Sequence, residues 1–142
     1  MFKNVLLAID LSHRDTQTKA IEVARNIART WGARLHVLTV VPEIASVMVA
    51  TYFPLDFEDK ARQDATAELR AFVDKAIGSD VEVESIVAYG KVYTEIIHYA
   101  DETGCDLIVM ASHRPELKDY LLGPNAARVV RHASQSVLVV RD

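Results

Sequence analysis

Apolar residues along the chain fall alternately into two patterns, short unbroken runs and longer stretches repeating every three or four positions, and the alternation predicts the secondary structure. Val5 to Ile9, Leu107 to Ala111 and Val137 to Val140 are continuous apolar runs, and Leu35 to Val41 is strand-like as well. Runs of this kind mark strands covered on both faces. Between them, Thr16 to Thr30 carries Ala20, Ile21, Val23, Ala24, Ile27 and Ala28 at helical spacing, with Trp31 just beyond. Phe57 to Ile77 gathers Ala61, Ala65, Leu69, Phe72, Val73 and Ala76 on one helical face, and Gly78 ends it. Val81 to Tyr89 alternates as V-E-V-E-S-I-V, a half-exposed strand. Val92 to Ala100 after Gly90, and Asn125 to Ala133, complete the helices. Strand alternating with helix predicts one α/β domain over residues 1–142, a parallel sheet with helices on both faces. No internal repeat or linker divides it.

Crossovers between parallel strands are right-handed, and ligands of such sheets bind at the carboxyl ends of the strands where the winding reverses. Val5 to Ile9 and Leu107 to Ala111, the most uniformly apolar strands, form the natural central pair, and Val81 to Val87 suits an edge. Were the central pair neighbours at the reversal, Asp10 would leave one strand and Ser112, His113 and Arg114 the other, converging on one crevice.

Composition narrows the partners. The net charge of −4 at pH 7 argues against a nucleic-acid partner, which a basic face would attract. Cys105, the single cysteine, cannot form an internal disulfide and reads as a small hydrophobe, which suits a reduced, cytoplasmic setting. The first apolar run is too short for a signal peptide or a spanning helix, so no membrane partner is expected. His13, His36, His98 and His132 lie on different elements without ligand spacing, so no metal site is expected. Walker A, G-x-G-x-x-G and kinase signatures are absent. Ser112, His113 and Asp10 invite a catalytic reading. Against it, Ser112 adjoins His113 in sequence and no G-x-S-x-G elbow is present.

The segment A-S-H-R-P from Ala111 to Pro115, resuming as L-L-G-P-N-A from Leu121 to Ala126, resembles the universal stress protein family, in the branch that carries A-S-H-R-P where other members carry glycines. The resemblance extends from V-L-L-A-I-D near the start to S-V-L-V-V-R at the end. It implies an adenine nucleotide alpha hydrolase-like fold, a five-stranded sheet in the order 3-2-1-4-5. It also implies that Asp10 accepts hydrogen bonds from the base or ribose, and that Val40 and Met110 flank the adenine. Residue by residue the alternatives stay open: Asp10 or Ser12 could simply cap the first helix, and Val40 and Met110 could simply pack in the core. Ser112 is suited to donate to a ribose or phosphate, and His113 to pack or hydrogen-bond in the loop.

The phosphate end departs from the family's glycine pattern, G-x-x-G and a later Gly followed by Ser or Thr. Ala111 and Arg114 stand where the first two glycines would be, the spacer from Pro115 to Leu122 is one residue shorter, Gly123 is kept, and Pro124 replaces the hydroxyl residue. Glycines let a phosphate approach the backbone. Arg114 would crowd that approach, yet could meet the phosphate with its guanidinium fork. Pro124 suits the first position of a helix, and Asn125 and Ala126 would still offer backbone N–H groups to an anion there.

The connection Pro42 to Pro54 is long and apolar, through Ile44, Met48, Tyr52 and Phe53, as in a lid or an interface. The last strand, at the sheet edge in the implied order, would pair Val137 to Val140 with a second copy to form a homodimer.

The resemblance implies an ATP- or ADP-binding protein, with Mg as an optional companion, acting as a stress-response or signalling switch toward a protein partner the sequence does not name. At most slow ATP hydrolysis would accompany it. The rival reading is a nucleotide-free dimeric interaction module. A nucleotidyl transferase is disfavoured because no H-x-x-H or H-x-G-H pair follows the first strand. If a guanidinium replaces the glycines, Arg114→Ala should weaken ATP binding by about 1.5–3 kcal/mol, the range for a hydrogen bond to a charged group. Titration calorimetry checks this, and an unchanged affinity rejects the clamp.

Overall fold

The computed structural model describes residues 1–42, 57–112 and 123–141. Five strands, β1 (Asn4–Ile9), β2 (Arg34–Pro42), β3 (Val83–Gly90), β4 (Leu107–Ala111) and β5 (Ser136–Val140), form one sheet. Their order is β3-β2-β1-β4-β5, and every neighbouring pair is parallel. Helices α1 (Thr18–Trp31), α2 (Phe57–Ala76), α3 (Val92–Glu102) and α4 (Pro124–His132) cover the faces. The expected architecture and strand order are those observed.

Successive strand residues point to opposite faces, so an unbroken apolar run feeds two cores at once. Val5, Leu7 and Ile9 enter one core with Ala20, Ile21 and Ala24 of α1 and Leu69 and Val73 of α2. Leu6 enters the other with Leu38, Ile108 and Met110, under Ile96 and Ala100 of α3 and Ala126 and Val129 of α4. Leu6 and Leu7 are both fully buried, in keeping with the central place of β1 in the strand order.

Polar groups lock the ends of this arrangement. The backbone N–H groups of Lys3 and Asn4 donate to the Asp106 carboxylate at 2.9 and 3.2 Å, fastening the start of β1 to the start of β4. His36, buried on β2, is satisfied by the Glu84 carboxylate at 2.9 Å and the Asn4 side chain at 3.3 Å, so its role in the described structure is a packed, hydrogen-bonded one. At the other end the Ser112 N–H donates to the Val140 carbonyl at 2.9 Å, joining the exit from β4 to β5.

Two expectations need amending. The first helix does not begin near Thr16: a 3-10 segment, Leu11–Gln17, comes first, kinked at His13 (φ −132°, ψ 50°), and α1 starts at Thr18. The cause is local competition, because the Asp10 and Gln17 side chains bond backbone groups that a regular helix would use itself. Trp31 does not belong to the core stripe. It is 44% exposed and meets Phe2 edge-on, ring centroids 5.5 Å apart, just before Gly32 ends α1 in the left-handed conformation at φ 62°.

Both sheet edges, β3 and β5, are half-exposed. On β5 Leu138 is 36% exposed, and Val130 of the adjoining α4 is 47% exposed. Among the described residues no helix is long and apolar enough to cross a membrane. The expected lid or interface, residues 43–54, and the loop residues His113 and Arg114 with the spacer up to Leu122 lie outside the described residues.

Candidate functional site

From β1 the chain winds to β2 and β3 on one side, then returns to β4 on the other, so the winding reverses between β1 and β4. Loops leaving the two strands there diverge and leave a gap. The register deepens it. β1 makes its last pair as Ile9↔Thr39, whereas β2 stays paired with β3 as far as Pro42↔Gly90, so β2 stands taller than the strand beside it. Above the end of β1 lies an open crevice of about 610 Å³, within the range of small-molecule and cofactor sites.

Its base is apolar. Ala8 and Ile9 of β1, Leu38 and Val40 of β2 and Met110 of β4 contribute, Met110 buried and Val40 half-buried. Val40 and Met110 lie on the strands either side of β1 and bracket the crevice across it. Glu68 of α2 forms part of one wall, its charge balanced by an ion pair with Arg14, whose guanidinium also lies 5.6 Å from the Phe72 ring centroid.

Asp10 stands where β1 ends. One carboxylate oxygen accepts the Ser12 N–H at 2.9 Å, and the other lies 3.0 Å from His13 Nδ1. The capping role is therefore realised, and it does not use up the group: a carboxylate offers about four acceptor positions, and Asp10 also lines the crevice. Partial burial pushes its pKa up, but the hydrogen bonds from His13 and the Ser12 N–H outweigh that, so the carboxyl titrates below its ordinary 3.8. Asp10 is ionised at neutral pH.

The opposite rim is the start of α4. Gly123 is its N-cap in an extended conformation (φ −66°, ψ 161°) with no side-chain cap, Pro124 occupies the first turn, and no acidic residue sits there. The first intrahelical bond of this turn runs from the Ala127 N–H to the Gly123 carbonyl at 3.0 Å. Helix geometry leaves the N–H groups of Asn125 and Ala126 without an intrahelical acceptor, at the positive end of the helix dipole. Ser112, Gly123, Asn125 and Ala126 all line the crevice. The structure thus gathers Asp10, Val40, Met110, Ser112, Gly123, Asn125 and Ala126 around one opening, with a carboxylate on one side and uncapped amides on the other.

Among the lining residues that the sequence reading did not place at the site are His13, which contacts Asp10, Glu68, and the buried polar residues Gln17 and Thr39. For Gln17 a signal existed. It precedes Ala20, Ile21 and Ala24 by three, four and seven residues, so it is a polar side chain on the apolar stripe of the first helix.

The profile of the universal stress protein family matches residues 1–141. Universal stress protein G of Escherichia coli O157:H7 is 32% identical over 144 residues, covering 99% of this chain and 100% of that protein. Among solved structures, the chain resembles protein MJ0577 of Methanocaldococcus jannaschii with a TM-score of 0.75 at 24% identity, covering 100% of this chain and 97% of the other, a likeness of fold. A universal stress protein solved in complex with cAMP gives a TM-score of 0.67 at 25% identity, covering 99% of this chain and 97% of the other.

The depressed Asp10 pKa carries a sign. The stabilisation is present above the ordinary, unfolded-state value of 3.8 and is lost as pH falls through the lower folded-state value. Asn can cap as Asp does, so Asp10→Asn isolates the charge. Urea unfolding of both proteins between about pH 2 and 6 should show the wild type gaining on the variant up to about pH 5 and a constant gap beyond. A gap that never changes with pH would mean that His13 and Ser12 do not stabilise the carboxylate.

Proposed function

The chain belongs to the universal stress protein family, and from that premise we propose that its crevice binds an adenine nucleotide, ATP or ADP, with Mg as an optional companion. The observation that carries this reading is the open crevice at the strand reversal, flanked by the ionised Asp10 and by the uncapped start of α4. The relative solved with cAMP supports the choice of ligand class. In this reading Val40 and Met110 hold the base by apolar contact, and Asp10 accepts hydrogen bonds from the ribose. The N–H groups of Asn125 and Ala126 meet the phosphates at the positive end of the helix, joined by the Ser112 hydroxyl and the Arg114 guanidinium. His113 would pack or hydrogen-bond within the same loop.

In this reading the protein acts by occupancy, as a stress-response or signalling switch in the cytoplasm, with at most slow ATP hydrolysis. Bound phosphates engage Arg114 and with it the segment joining β4 to α4, and this changes the surface offered to a protein partner. The second copy of the chain pairs along Val137 to Val140, covering the exposed Leu138. A nucleotide-free dimeric module is the second reading. Ala111, Arg114 and Pro124, standing at positions of the family's glycine motif, favour it.

Mass spectrometry of gently purified and then denatured protein should release ATP or ADP, and calorimetry should give ATP and ADP tighter binding than AMP. Protein that binds none of the three at millimolar ligand falls to the second reading. In sedimentation at micromolar concentration the chain should run as a dimer, and Leu138→Asp should make it a monomer. A monomeric wild type rejects the edge pairing.

A further inference from the structure

Asp10 is the first residue past the β1 ladder, so its backbone groups lie outside the strand pairing, yet they are part-buried. The side chain of Gln17 supplies the missing partner. Its Oε1 accepts the Asp10 N–H at 2.7 Å, while its Nε2 donates to the Asp10 carbonyl at 2.8 Å and to the His13 carbonyl at 2.7 Å. A carboxamide has the donor and acceptor of a peptide group. Gln17 uses both on Asp10 as a neighbouring strand would, extending the ladder by one rung with a side chain.

Burial makes the arrangement costly to leave unmade. Gln17 is 6% exposed, and a buried polar group deprived of its partner costs more than the bond contributes when made. The rest of the turn is built on this anchor. The His13 carbonyl also accepts the Thr16 hydroxyl at 2.8 Å, and the His13 N–H donates to the Asp10 carbonyl at 3.1 Å. The kink at His13 then brings its imidazole to the Asp10 carboxylate. Gln17 lines the crevice, but both hydrogens of its amide nitrogen are committed inside the turn. It therefore has no donor to offer a ligand.

We infer that Gln17 is a positioning residue of the crevice: it pins the backbone of Asp10, so that the carboxylate meets a ribose without first having to be ordered. This rests on the adenine-nucleotide reading. The energetic logic is preorganisation, in which a group already held in its binding geometry loses little freedom when the ligand arrives.

The test compares ATP with 2′,3′-dideoxy-ATP, which keeps the base and phosphates but lacks the hydroxyls that Asp10 would receive. Calorimetry on the wild type should find ATP bound about tenfold to a hundredfold more tightly, the range for hydrogen bonds to a charged group. Gln17→Met keeps the length and burial of the side chain and removes its hydrogen bonds. In that variant ATP affinity should fall to within about threefold of the dideoxy level, with dideoxy-ATP binding unchanged. A combined Gln17→Met, Asp10→Ala protein should be no worse than Asp10→Ala alone.

A merely structural Gln17 would weaken both nucleotides together, and that result overturns the inference, as does a Gln17→Met protein with the wild-type ratio. Should Gln17→Met fail to fold, Gln17→Glu retains the acceptor for the Asp10 N–H and loses the donated bonds. It should show an intermediate ratio, and a wild-type ratio there overturns the inference too. A wild type that binds neither nucleotide rejects the ligand class itself. A wild type that binds both equally removes the ribose contact on which Gln17 was argued to act.

Discussion

A parallel strand that is buried on both faces cannot turn back on its neighbour; the chain must leave the sheet, cross a face as a helix and return at the far end. For β1, with Leu6 and Leu7 fully buried in opposite cores and a strand on either side, this constraint decides nearly everything else. The helices take their faces from it, and the loops collect at the two ends of the sheet. Because the chain departs one way from β1 and arrives from the other side at β4, the loops above those two strands cannot cover each other. The crevice is a by-product of the winding, and the side chains around it specialise a gap that the topology had already opened.

That specialisation rests on charge placed at two fixed ends. Asp10 is a local cap and a crevice residue at once, because a carboxylate has more acceptor capacity than its own turn consumes. Across the opening, α4 begins at Gly123, which offers no side-chain cap, and has no acidic residue in its first turn, so its dipole meets no capping carboxylate among the described residues. A ligand that is polar in the middle, apolar at one end and anionic at the other matches the order of groups along this opening.

The strands were legible because they are buried twice. Leu107 to Ala111 shows no polar interruption, and its predicted bounds coincide with those of β4. Order was not readable from period, since periodicity records which face a residue takes and nothing about which strand lies beside it; the family resemblance supplied the order. Asp10, Gly123 and Asn125 could be found because strand ends and helix starts are announced in sequence. The 3-10 segment was hidden by its own composition, since Ser12, Asp15 and Thr16 look the same in a loop, a cap or a helix's first turn. Gln17 escaped for a related reason: its polarity suggested solvent, while its partners are backbone groups that no sequence pattern displays. The height difference between β1 and β2 is a matter of register, and register beyond a strand's end is set by the three-dimensional path of the chain.

One backbone hydrogen bond links the opening to the sheet's outer margin. The Ser112 N–H on the crevice rim donates to the Val140 carbonyl, the last residue of β5. Rim and margin therefore share a rung, and a displacement of either strains the same contact. Linkage then imposes a symmetry: whatever free energy a molecule in the opening adds to an association along β5, that association must return, in equal measure, to the molecule's affinity.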